Sequence, residues 1–118
     1  MKTIIAGSRS FVCPADIVLV ERAIQESGFR ITEIVSGMAR GVDSLAVTYA
    51  ALHHIPLRPI YAQWHHHGQW AGGIRNVRMA DYADQLIAVW DEESPGTMHM
   101  IKTARAKGLP VYVLAMGL

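Results

Sequence analysis

Cysteine is nearly missing: Cys13 is the one thiol in 118 residues. That excludes an internal disulfide and a multi-cysteine zinc site within one chain. Excess charge of either sign is missing too. Lys and Arg number 11 against 10 for Asp and Glu, a formal balance of +1, so there is no electrostatic case for a broad nucleic-acid surface. Long apolar runs are absent. The opening Met1 to Gly7 holds too short a run for a signal peptide or a membrane span, so a cytoplasmic protein without a membrane partner is expected. No low-complexity tract, charge block, Pro/Ser linker or repeat divides the chain, and residues 1–118 read as one domain. What is plentiful is apolar: 51% hydrophobic against 18% charged residues, enough to build a core.

The apolar residues recur in one pattern: a short run, a turn, then a helix-like stretch. Thr3–Ala6 reads as a strand whose Ile4 and Ile5 are continuous rather than alternating, which argues for burial on both faces. Pro14 and Asp16 look like a helix start, Ile17, Val20 and Ile24 recur at helical spacing, and Gly28 supplies a stop. Ile31–Ser36 is the second strand. Gly41–His54 is the second helix, with Val42, Leu45, Ala46, Tyr49 and Leu52 on one face and Pro56 after it. Leu57–Tyr61 is a poorer strand, because Pro59 lacks a ladder donor; it suits an edge. Ala62–Gly73 has no clear period and reads as a long functional loop. Ile74–Ala83 is a helix, Gln85–Trp90 a strand, Ser94 to Gly108 a helix region, and Val111–Leu114 the last strand. The alternation predicts an α/β fold: one Rossmann-like domain with a mainly parallel sheet of about five strands flanked by helices. Ligands in such sheets sit beyond the carboxyl ends of the strands, so the loops there are where function is sought.

Four of those loops are unusual. In the first, Gly7 permits close approach, Ser8 offers a hydroxyl and Arg9 a planar fork, together either a phosphate grip or an ordinary turn with a solvated arginine. In the second, Gly37, Arg40 and Gly41 run into a helix start that exposes free N–H groups. Asp43 either accepts from ribose hydroxyls or complements the helix dipole. Neither a Walker motif nor a Gly-x-Gly-x-x-Gly fingerprint is present. In the third, Gly72 and Gly73 precede a helix whose first turn would carry Arg75 and Asn76, for phosphate and for base or ribose. In the fourth, Ser94 is an N-cap, Pro95 the first helical residue, and Gly96 and Thr97 offer amides and a hydroxyl, with Asp91 nearby for ribose. Agreement among the four favours a phosphorylated small molecule over core packing.

In this order the loops resemble the SLOG superfamily, nearest to its small YspA/YpsA-like branch. The matching stretches are Gly7-Ser8-Arg9, Ser36 to Ala46, Trp64, Gly68 to Met79, Asp91 and Gly96-Thr97, spread over nearly the whole chain. The resemblance implies a Rossmann-like sheet that binds nucleotide-derived ligands of the ADP-ribose or NAD type, as in bacterial stress and phage conflict. It also implies roles. Gly7, Ser8 and Arg9 would line the phosphate side, Gly37, Arg40, Gly41 and Asp43 a second wall, and Gly96 with Thr97 a cradle. The superfamily includes the LOG phosphoribohydrolases and the DNA-processing protein DprA. LOG enzymes carry a Pro-Gly-Gly-x-Gly-Thr-x-x-Glu stretch with a catalytic glutamate; here Met100 stands at that position, and a thioether is no general base. Proline is also common in the family where Gly73 sits.

Other residues carry less. His65, His66 and His67 are adjacent and do not converge on one face, so no metal is expected. Trp64 is expected to stack on a base, His99 to be an ordinary helix residue, and Cys13 to be no nucleophile. No catalytic residue and no cofactor is assigned. The expected function is capture of a nucleotide-derived molecule, as a sensor or as a sponge for an immune signal. The sponge idea rests on the small single domain and the missing glutamate. The rival is an N-glycosidic hydrolase using Asp91, Glu92, Glu93 or His99. Single-strand DNA binding is disfavoured by the charge of +1, and a homo-oligomer is expected from the apolar content.

Overall fold

The computed structural model describes residues 1–117. Five strands form one sheet: β1 (Lys2–Gly7), β2 (Glu33–Ser36), β3 (Leu57–Pro59), β4 (Gln85–Trp90) and β5 (Val111–Ala115). The order is β3-β2-β1-β4-β5 and every pairing is parallel. Helices α1 (Ile17–Ser27) and α2 (Val42–Leu52) cover one face; α4 (Ala71–Tyr82) and α5 (Pro95–Ala106) cover the other. A single turn, α3 (Trp64–His67), precedes α4. This is the expected Rossmann-like α/β architecture.

The continuous apolar strands explain the layering. In β1, Ile4 packs with α4 and α5 while Ile5 packs with α1 and α2. In β4, Leu86 and Ala88 face the first core, Ile87 and Val89 the second. Ile4, Ile5, Leu86, Ile87 and Val89 are all fully buried, each worth roughly 1.5–3 kcal/mol relative to exposure. A charge at Ile87 would therefore break one core from its centre. Polar residues close the opposite end of the seam: Gln85 Nε2 donates to Thr3 Oγ1 at 2.7 Å, and Lys2 N–H donates to Asp84 Oδ2 at 2.8 Å.

Several boundaries differ from the sequence reading. A 3₁₀ turn at Pro14–Asp16 precedes α1, which starts at Ile17. Helix α2 stops at Leu52, which is exposed, and β2 and β3 are shorter than expected. Strand β3 is an edge, as its proline foretold; β5 is the other. The larger correction concerns Ala62–Gly73, expected as a loop. It holds α3, a 3₁₀ turn at Gly68–Trp70 and the first residues of α4. Two glycines argue against a helix by local propensity. Packing overrides them: Ala71 is fully buried, and a Cβ on Gly73 would lie 3.6 Å from His99 of α5. Arg75 and Asn76 consequently stand in the second turn of α4, not the first.

Candidate functional site

The chain runs outward from β1 to β2 and β3, then returns to the other side of β1 as β4. Between β1 and β4 the loops diverge, which leaves a crevice at the carboxyl end of the sheet. A cleft of about 340 Å³ opens there. Its walls come from the end of β1 and its loop (Gly7, Arg9), the β2 loop (Ala39), the first turn of α2 (Asp43), helix α4 (Arg75, Asn76) and the start of α5 (Ser94, Gly96, Thr97). A second cleft, also about 340 Å³, adjoins it, with Gly37, Arg40, Tyr61 and Trp64 in its wall. Arg9, Ala39 and Arg75 line both.

Two of the glycines hold the rim together. A Cβ on Gly7 would meet Val89 O at 2.2 Å and Val42 Cγ2 at 2.6 Å, so α2 packs directly on the end of β1. Gly41 has φ +82°, which L side chains rarely adopt, and its Cβ position lies 2.3 Å from Ser8 O. Gly41 thus seats the β2 loop on the β1 loop and lines neither cleft. Ser8 is fully buried and its groups are committed. Its N–H donates to Val89 O at 3.0 Å, its carbonyl accepts from Val42 N–H at 3.3 Å, and its Oγ accepts from Asp91 N–H at 2.9 Å.

Asp91 is committed as well. One oxygen accepts from the N–H groups of Glu93 at 2.9 Å and Ser94 at 2.8 Å; the other accepts from the hydroxyls of Ser10 and Ser94, each at 3.1 Å. The Ser94 N–H bond leads the set that holds this carboxyl well below the usual carboxylate range. Asp91 organises the turn into α5 and lines neither cleft. Asn76, also buried, ties α4 to α5: its Nδ2 donates to Gly96 O at 3.4 Å and to His99 Nδ1 at 3.0 Å.

The arginines are in a different condition. Among the described residues the ion pairs are Arg22–Glu26 and Lys107–Asp81, both away from the rim. Arg9 and Arg40 are exposed. Arg75 is half-buried; its Nη1 reaches Gly37 O at 3.5 Å, its Nη2 reaches Asn76 Oδ1 at 3.4 Å, and its buried Nε has no partner. Burial lowers the Arg75 pKa, with Asp43 opposing that and Arg9 adding to it. Asp43 is buried, and its Oδ2 accepts from Ala39 N–H at 3.2 Å. Burial pushes its carboxyl up to about 6, against the pull of that N–H, Arg75 and Arg9. Arg75 Nε and Asp43 Oδ2 each lie 2.9 Å from where a Gly37 Cβ would sit, so a side chain there would have to push both aside.

The start of α5 completes the first cleft. Ser94 is its N-cap, Pro95 its first residue, and Gly96 and Thr97 bring free amides to the wall. Met79 and Met100, both almost fully buried, give the first cleft an apolar floor. Trp64 belongs to the second cleft and is 52% exposed; Tyr61 beside it is 60% exposed. Tyr61 was not singled out from the sequence, although an aromatic just past the edge strand and three residues before Trp64 was a readable signal. The histidines of α3 join no group of three or more metal-binding side chains among the described residues.

Fold and site together define an all-parallel α/β protein with a cationic crevice at its topological switch point. Comparison with protein-family models, with curated proteins and with solved structures gives no match. Among the described residues no helix is long and apolar enough to cross a membrane.

Proposed function

We propose that this protein captures a phosphorylated, nucleotide-derived small molecule of the ADP-ribose or NAD type and does not turn it over. The observation that carries the reading is the convergence of Arg9, Arg40 and Arg75, none of them in a close ion pair among the described residues, beside the open amides of α5. Unpaired guanidinium groups and a helix start at one rim favour an anion with several oxygens. In this reading Arg9, Arg75, Gly96 and Thr97 take phosphate, and Asp43 accepts from a sugar hydroxyl. The loop resemblance to the SLOG superfamily, a cytoplasmic setting, assembly into a homo-oligomer, and use as a sensor or a sequestering sponge in stress or phage conflict all belong to the same proposal.

Capture is preferred to hydrolysis on the carboxylate inventory. Asp91 is spent on the α5 turn, and Met100 offers no base. One observation favours the rival N-glycosidic hydrolase: Asp43, with its carboxyl at about 6, faces the cleft with a proton to exchange near neutral pH. Incubation with AMP, ADP-ribose and NAD separates the readings. Capture predicts saturable binding and full recovery of intact ligand; steady release of base or ribose that Asp43→Asn abolishes establishes the enzyme. Native mass spectrometry of protein purified from cells is expected to show a co-purified phosphorylated ligand.

A further inference from the structure

The two edges of the sheet are built differently. Strand β3 is three residues long, carries Arg58 and ends in Pro59, which blunts it against pairing. Strand β5 is five residues long, Val-Tyr-Val-Leu-Ala, with no charge and no proline. Leu86 N–H donates to Pro110 O, and Met116 N–H donates to Trp90 O at the other end of the pairing. The even-numbered residues of this strand therefore turn their backbone groups to β4. Val111, Val113 and Ala115 turn theirs outward, and among the described residues those groups have no hydrogen-bond partner. The helices beside the edge carry opposite charges. On one face, Glu26 of α1 accepts from the Tyr112 hydroxyl, and Arg22 stands about 6 Å nearer the carboxyl end of the strands. The middle of that step is close to the level of Val113, one residue past Tyr112. On the other face, Glu92 packs against Gly117 beyond the carboxyl end of β5, while Arg105, in the last turn of α5, stands by its amino end. All four of these charged residues are exposed.

Resting on the homo-oligomer part of the reading above, we propose that β5 is the dimerisation edge: a second copy of this chain lays its own β5 antiparallel against it about a two-fold axis at Val113, and one continuous sheet runs through both copies. Val113 then meets its own copy and Val111 meets Ala115, so every outward N–H and C=O of both strands is used. The same axis sets Arg22 against Glu26 and Arg105 against Glu92 between copies. Lys102 of α5 would approach its own copy, and its long stem lets the ammonium turn to solvent. The match is what singles out a second copy as the occupant. A foreign strand could satisfy the backbone, but these alternating charges are complementary to themselves under a two-fold rotation, and such a contact closes on a dimer.

Sedimentation equilibrium of the full chain tests this, with circular dichroism to check that each variant folds. The wild-type protein is expected to be a dimer. Val113→Pro removes an outward N–H and no bond to β4, and is expected to raise the dimer dissociation constant at least about a hundredfold. Ala115→Pro, at an exposed position, gives the same readout if Val113→Pro does not fold. Arg22→Glu is expected to weaken the dimer about tenfold. Adding Glu26→Arg to it should bring the constant back to within about threefold of wild type, because the swapped pair is again complementary to itself. A dimer that folded proline variants leave unchanged, or a charge swap that does not restore association, overturns the inference and leaves the homo-oligomer reading standing on some other surface. A wild-type chain that stays monomeric at every concentration sinks both. Neither result bears on ligand capture.

Discussion

Asp43 and Asp91 stand at the same rim of the sheet, and their surroundings drive them in opposite directions. Asp91 sits in a turn where two backbone N–H groups and two hydroxyls aim at its oxygens, which lowers its pKa. Asp43 is buried with fewer donors, the N–H groups of Ala39 and, more weakly, Gly7, and burial raises its carboxyl to about 6. The first carboxylate is saturated and serves the fold. The second keeps unused acceptor capacity inside a cleft and serves whatever enters. Proximity to a site does not tell the two apart; the count of donors aimed at each oxygen does.

The largest effect expected from this contrast is on stability at alkaline pH. The folded pKa of Asp43 lies above its unfolded value of 3.8, so its burial costs nothing while both states are protonated. The cost builds as pH rises from about 4 to about 6 and then levels off, at about 3 kcal/mol for a shift of that size. Asp43→Asn should therefore be more stable than the wild-type protein at pH 8 by up to that amount. The advantage should vanish below pH 4 in urea titrations run across the range. An Asp43→Asn variant equally stable at both ends would show that the carboxyl is not held out of water.

Asp91 should behave the other way. Its folded pKa is depressed, so its contribution is present above the unfolded value and is lost as pH falls through the folded one. Asp91→Ala should cost about 2 kcal/mol at pH 7, because the Glu93 and Ser94 amides lose their acceptor, and progressively less in acid. A smaller effect concerns ligand. Protonating Asp43 removes the negative charge facing Arg75 and Arg9, so ADP-ribose, whose diphosphate does not titrate near neutrality, should bind up to about tenfold tighter at pH 5 than at pH 7.5. Smallest of all, Gly37→Ala should stay within about 1 kcal/mol of wild type, because flexible side-chain ends can yield. It should still push Arg75 and Asp43 apart, visible by NMR titration as a higher Asp43 pKa.

Much of the architecture could be read from residue order because β1 and β4 carry unbroken apolar runs that only a two-sided parallel sheet buries. The stretch from Trp64 to Gly73 could not, because its helical turns are held by packing of α3 on α4 and of α4 on α5 rather than by local propensity. Within the site, Arg9 and Arg75 were legible as charged residues on loops or helix starts after strands, and they line both clefts. Asp91, Asn76 and Ser8 were legible as polar rim residues, but not as satisfied ones. Whether a hydroxyl or amide is free depends on partners that lie as many as 83 residues away, as for Ser8 and Asp91. Tyr61 carries only a positional signal in the sequence, an aromatic shortly before Trp64, and its exposure beside Trp64 is what makes it part of the site.

The pairing of β1 with β4 sets the timing of assembly. Lys2 to Gly7 lie at the beginning of the chain, yet their partners are Gln85 to Val89 and Asp84. During synthesis one flank of β1 stays unzipped until Gln85 to Val89 have been made. Fragments ending before Gln85 would possess every rim arginine and still have nothing to hold, for the α5 amides arrive last and close the grip only when the central seam is complete.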